Sequence, residues 1–249
     1  MASENPFSNI GFEDFRRFAL DSSLSKYEKI GFPNSYRKGF EEIIWSDILE
    51  KLNLLNKGNC CVLEIGPGCS DLPLLMINLC SQKNNRLILI DSSEMLSLLP
   101  DASFIEKIPA VYPNCPDLIQ RLKESVDVIL CYSVLHYIFV DTAFFRFLDT
   151  SLSLLSPGGQ MLIGDIPNIS KRKRFFSSDA GVKFHQQFTN TASRPEIAFN
   201  CIQHDQIDDS VIFSLIGRAR SSGFDAYVVP QNPKLPMANR REDILITRP

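Results

Sequence analysis

The chain has 249 residues, 44% of them hydrophobic, enough to bury a three-layer core at the upper end of one ordinary domain. A formal net charge of −3 and a pI near 5.7 exclude the basic footprint of a nucleic-acid binder or of a protein held on an anionic membrane. Seven cysteines, odd in number and mostly set in apolar runs, read as reduced thiols of a cytoplasmic protein, and three histidines with no CxxC pair leave no expected metal site. The opening residues carry no basic stretch followed by an apolar one, and no apolar run reaches the length of a bilayer span.

In chain order, EDFRRFALDSSL (13–24) and RKGFEEIIWSDILEKLNLL (37–55) read as helices joined by SKYEKIGFPNSY, a helical cap or lid over residues 1–57. Phe40 and Trp45 supply the apolar face of the second helix. From residue 58 short β-branched runs alternate with amphipathic stretches, the pattern of repeated βα units around a parallel sheet. CCVLEI (60–65) is a buried strand ended by the turn GPGCSD, followed by a helix over 71–82. RLILID (86–91) is a second strand, followed by a helix start at 92–96 that Ser92 or Ser93 can cap.

A third strand falls at 102–107, a short helix at 117–125 and the most hydrophobic strand at 126–134, which belongs at the centre of the sheet. An amphipathic helix over 144–155 stops at SPGG, and QMLIGDI (160–166) is the fifth strand. Its aromatic side chains also offer a face for a homodimer. Periodicity then fails from 167 to 207, an irregular insert of functional length. A helix over 208–223 follows, and FDAYVVP (224–230) and EDILITR (242–248) have only prolines and polar residues between them. They therefore pair as an antiparallel hairpin.

Chemistry concentrates in LEIGPGCSDLP (63–73). Glycines at 66 and 68 let the backbone turn tightly and approach a ligand, and the helix that follows presents unpaired N–H groups. Asp91 ends the second strand, where a carboxylate can accept from both hydroxyls of a ribose. Together they read as an adenosine site. A nicotinamide or flavin site shares that spacing, but its third glycine is replaced by Asp71, and the closing hairpin departs from an all-parallel dinucleotide fold.

Glu64-Ile65-Gly66-Pro67-Gly68, Asp91 ending LILID, the run DVILCYSVLHYI, the phrase LLSPGGQMLIGD and the last hairpin together resemble the class I S-adenosylmethionine (SAM) dependent methyltransferases, of the small-molecule type. The resemblance covers residues 58–248 and implies an α/β fold, a doubly wound seven-stranded, mostly parallel sheet with an antiparallel last strand. It implies SAM as cofactor and S-adenosylhomocysteine as product. Glu64 and the backbone of Gly66, Pro67 and Gly68 would hold the methionine part, Asp91 with the adjoining Ser92 the ribose, Lys107 or Ile108 the adenine, and Cys131 to Ser133 the floor beneath the sulfonium.

Around that site, His136 is either a base or the cap of the next helix, and His185 is either a base reaching over from the insert or a surface residue; His204 reads as structural. Arg172, within the basic run at 171–174, could engage a phosphorylated acceptor or be a solvated turn, and Asp165 faces the acceptor or caps its loop. Tyr27 and Tyr36 sit on the link between the first helices, a candidate wall of the acceptor pocket. The expected activity is O-methylation of a small polar metabolite, a sugar or phosphorylated intermediate being favoured, with neither nucleic acid nor membrane as partner. Aminopropyl transfer on the same fold, or a silent SAM-binding or partner-binding protein, are the alternatives.

Overall fold

A computed structural model describes residues 10–201 and 203–249; the first nine residues, on which part of the reading of the N-terminus falls, lie outside the described residues. Seven strands form one sheet in the order β3-β2-β1-β4-β5-β7-β6. They are β1 (Cys61–Ile65), β2 (Arg86–Asp91), β3 (Ile105–Pro109), β4 (Val126–Tyr132), β5 (Leu155–Pro167), β6 (Asp225–Val229) and β7 (Arg241–Thr247). The first five are parallel; β7 runs antiparallel both to β5 and to β6. The expected hairpin is present, with β7 inserted between β5 and β6.

Period-two alternation divides the sheet into two buried faces. On one, Leu63, Ile88, Ile129, Cys131, Ile163 and Ile244 pack against the helices α6 (Pro116–Leu122), α8 (Phe144–Leu154) and α11 (Asp209–Ser221). On the other, Val62, Leu89, Val128, Leu130 and Leu162 meet α3 (Glu41–Lys51) and α4 (Asp71–Lys83). The second N-terminal helix of the expected cap is thus part of the sheet's own layer: Ile44, Trp45 and Ile48 lie in the same buried cluster as β1 and β2. What remains over the edge of the sheet is α1 (Phe12–Leu20), a 3-10 turn (Glu28–Ile30) and α2 (Asn34–Arg37).

Residues 167–207 do not form the irregular insert expected from periodicity. Asn168 caps α9 (Ile169–Ser177), accepting from the backbone of Ser170 at 2.9 Å, and Ser178 caps α10 (Asp179–Thr189), accepting from Gly181 at 3.2 Å. A Cβ at Gly181 would lie 2.0 Å from the Phe175 carbonyl oxygen, so glycine is what lets the two helices meet at so sharp a corner. The two helices pack their aromatic residues on one another, Phe175 and Phe176 of α9 against Phe184 of α10, and reach little of the core: α9 has no buried residue and α10 only Gly181. Of α8's aromatic residues, Phe147 is fully buried and Phe145 is exposed beneath Arg218.

Candidate active site

The carboxyl ends of β1, β2 and β4 open into one cavity lined mostly by apolar side chains, as small-molecule sites commonly are. Its floor is the turn after β1. Gly66 has φ +69° and Gly68 φ +66°, and a Cβ at either would strike a neighbour, 2.7 Å from Val134 Cγ2 and 2.6 Å from Ile30 Cγ2 respectively. The backbone can take this path only because both positions lack a side chain. Pro67 and Ser70 line the same turn, at the N-terminus of α4.

Asp91 closes β2 and lines the cavity. Its carboxylate accepts from the backbone N–H of Gly68 at 3.1 Å and of Ser92 at 2.7 Å, which fixes its orientation and leaves lone pairs unused. Burial raises its pKa to about 6 despite those two bonds. Glu64, on β1 and in register with Leu89 of β2, is buried and is not among the residues that line the cavity; its Oε2 has no hydrogen-bond partner, and burial, then the charge of Asp91, raise its pKa to about 8.

Several expected positions move. Ser92 is buried and its Oγ accepts from the Met95 N–H at 3.1 Å, capping α5 (Ser93–Leu96), so the hydroxyl serves the helix and does not line the cavity. Strand β3 runs two residues further than expected, which buries Ile108 against the core and makes Ala110, Val111 and Tyr112 the wall after it. Lys107 donates to the Leu99 carbonyl at 2.7 Å, away from the site. Cys131 points into the core on the face shared with Ile129; the alternate residue Tyr132, with Ser133 and Val134, lines the cavity. Strand parity in VDVILCY was the signal for this.

The acceptor side is rearranged further. His136 lies on α7 (Leu135–Asp141), its ring 3.9 Å from and tilted 42° to the Tyr137 ring, and outside the cavity wall; burial, then the nearby Arg241, lower its pKa to about 3. A base that weak accepts a proton poorly at neutral pH. His185 and Arg172 line a separate cavity with Lys173 and Phe176, between α9, α10 and the chain that follows. Tyr36 is not among the lining residues of the main cavity, whereas Tyr27 is, with its hydroxyl donating to Glu41.

Asp165 is buried and engaged: its Oδ2 receives Arg37 Nη2 at 2.6 Å, Arg241 Nη1 at 2.6 Å and the Ser133 hydroxyl. Those cations outweigh burial and hold its pKa below the ordinary value. It therefore positions arginines and is not free to take a proton from an acceptor. The consequential residue missed in the sequence is Arg37, which lies in no motif and reaches this site only because α2 folds over the sheet edge.

No protein-family model matches this sequence, and no curated protein is detectably similar to it. Solved structures are. A chain from the complex of the Haloferax volcanii Trm112 methyltransferase activator with a methyltransferase aligns over 95% of this chain and 98% of its own, at 13% identity and TM-score 0.58. A SAM-dependent methyltransferase from Aquifex aeolicus aligns over 89% and 96%, at 14% identity and TM-score 0.54. The fold is that of the class I methyltransferases. A third chain with this fold, the N-methyltransferase NodS of Bradyrhizobium japonicum in complex with S-adenosylhomocysteine, matches over 96% and 98%, at 14% identity and TM-score 0.52. In the class I methyltransferase fold of the present chain, the cavity lies where ligands bind in open α/β sheets, outside the carboxyl ends of the strands and at the β1/β4 reversal of strand order.

Proposed function

We propose that this chain is a SAM-dependent methyltransferase acting on an oxygen of a small acceptor. The observation that carries the reading is a single cavity that begins at the glycine turn and Asp91 and continues under the N-terminal segment to Arg37. The residues fit an adenosine bearing a cationic amino-acid tail. Asp91 has lone pairs to spare for two ribose hydroxyls, the backbone of Gly66 to Gly68 accepts close approach, and Glu64 offers an unpaired oxygen to an ammonium. Ala110 and Val111 would flank the base, and Tyr132 to Val134 would form the floor.

SAM supplies an activated methyl group on a positively charged sulfur. The chain's own task is to hold an acceptor lone pair in line with it and keep water out. Phe12, Phe15, Tyr27, Ile30 and Phe32 roof the cavity, so the N-terminal segment provides that exclusion. The basic run at 171–174, one of the grounds for a sugar or phosphorylated acceptor, does not serve this cavity, since Arg172 and Lys173 line the other one. Among the described residues Arg37 is the one cation lining the main cavity, within largely apolar walls.

Titration calorimetry with S-adenosylhomocysteine tests the reading. The wild type should bind it, and Asp91→Ala should weaken binding at least tenfold, about 1.4 kcal/mol. Absence of binding to the folded wild type defeats the proposal.

A further inference from the structure

Arg37 is 93% buried by its 7% exposure, an unusual place for a guanidinium, and the way it is held leaves part of it unused. The Phe32 ring covers one face, with Arg37 Cζ 4.2 Å from its centroid, and the Tyr132 ring lies 5.7 Å away. One edge is pinned by Nη2, which donates to Asp165 and to the Ser133 hydroxyl. Asp165 does not belong to Arg37 alone, because Arg241 takes the same oxygen at 2.6 Å. The next carboxylate behind it, Asp243, is engaged by Lys51 at 2.7 Å. Nε–H of Arg37 has no partner, and a buried donor left unmade costs roughly 1–3 kcal/mol.

The position of this cation within the cavity is equally specific. Arg37 bonds Ser133, the residue just past β4; its neighbour Val134 fills the space beside Gly66. Arg37 therefore stands at the end of the cavity next to the glycine turn, with Phe15, Phe32, Tyr132 and Tyr137 providing flat apolar walls. No described histidine lines the cavity; its carboxylates are Glu41, which accepts from Tyr27, Asp91, which accepts from two backbone N–H groups, and the exposed Asp141.

We propose, resting on the methyl-transfer reading above, that the acceptor is an apolar or aromatic carboxylic acid whose carboxylate docks on Arg37 and is itself methylated. A carboxylate oxygen lone pair forms the bond to the methyl carbon as the carbon–sulfur bond breaks toward sulfur. The products are a neutral methyl ester and the neutral thioether S-adenosylhomocysteine. One negative and one positive charge cancel, and no proton is released, so a site without a base suffices. Arg37 supplies a single positive charge among the lining residues, which matches a monoanion better than a phosphate dianion.

The test is calorimetry on the full chain at saturating S-adenosylhomocysteine, with phenylacetate, cinnamate and octanoate each compared with its own amide. At least one acid should bind tenfold or more tighter than its amide. Arg37→Lys keeps a charge beside Asp165 but lacks the guanidinium's fork of donors, and it should reduce that preference at least fivefold without altering amide binding. Mass spectrometry of the reaction with SAM should then show the methyl ester of the preferred acid. If S-adenosylhomocysteine itself fails to bind, the parent reading fails. If it binds and no acid outcompetes its amide, or Arg37→Lys binds acids as the wild type does, only the carboxylate assignment falls. Should Arg37→Lys not fold, the acid-to-amide ratio of the wild type decides.

Discussion

Glu64 is a carboxyl whose burial works against the fold. It sits in a strand flanked by Leu63 and Ile65, where an apolar residue would pack without penalty, and its Oε2 is left without a partner. Folding therefore raises its pKa from 4.5 to about 8, by burial first and the charge of Asp91 second. Between those values the folded chain holds a proton that the unfolded chain has released, so stability falls as pH rises through about 4.5 to 8. Asp91, raised to about 6, acts in the same direction. Glu64→Gln should flatten that slope and stabilise the chain at pH 8 by up to a few kcal/mol, at about 1.36 kcal/mol per unit. Urea unfolding between pH 5 and 9 measures it; an unchanged slope contradicts the assignment. Both acids were legible in the sequence, because a charge inside a buried strand or at its carboxyl end has few structural uses.

At the level of elements, small errors of boundary decided which residues reach the site. Strand β3 ends at Pro109, and this two-residue extension exchanges Ile108 for Ala110 and Val111. In β4 one residue of parity exchanges Cys131 for Tyr132. Ser92 sits beside the key Asp91, yet its oxygen is spent on α5. Ser92→Ala should accordingly cost about 1 kcal/mol of stability, the usual loss of an N-cap, while leaving S-adenosylhomocysteine affinity within about twofold. Thermal melting and calorimetry on one sample separate these, and a large loss of affinity at full stability would restore Ser92 to the ligand site. Helices α9 and α10 differ from the others in another way: their aromatic residues, Phe175, Phe176 and Phe184, pack on one another, and almost none of their side chains is fully buried.

For the whole molecule, one core layer serves both stability and site. Phe147 of α8 is fully buried against Tyr112, in edge-to-face contact at 5.8 Å, on the sheet face that holds Leu63 and Ile129, and Tyr112 in turn lines the cavity. Phe147→Ala should cost about 3–5 kcal/mol, read from the urea midpoint, since it leaves a ring-sized void behind Tyr112. A loss near 1 kcal/mol would mean that this face collapses to fill the space. On the other side of the cavity, Arg16 of α1 bonds Glu94 of α5 at 2.7 Å, tying the roof to the residues that follow Asp91. Among the described residues no helix is long and apolar enough to cross a membrane.

By itself the sequence determined the sheet, the glycine turn and Asp91. These depend on local rules: period-two burial along each strand, backbone angles open only to glycine, and a carboxylate placed at a strand end. The run of prolines between the last strands also dictated the reversed hairpin, since no helix could form there to return the chain. Only the tertiary structure decided the acceptor side. Arg37, Asp165 and Arg241 come from positions far apart in the chain and carry no shared spacing, and they meet because α2 closes over the edge of β4 and β5 while β7 inserts beside β5. His136 and His185 were read from proximity in sequence to the strand ends. Burial made the first a weak base and the turn between α9 and α10 carried the second to another cavity. Long-range packing, rather than any motif, chose which charge faces the acceptor.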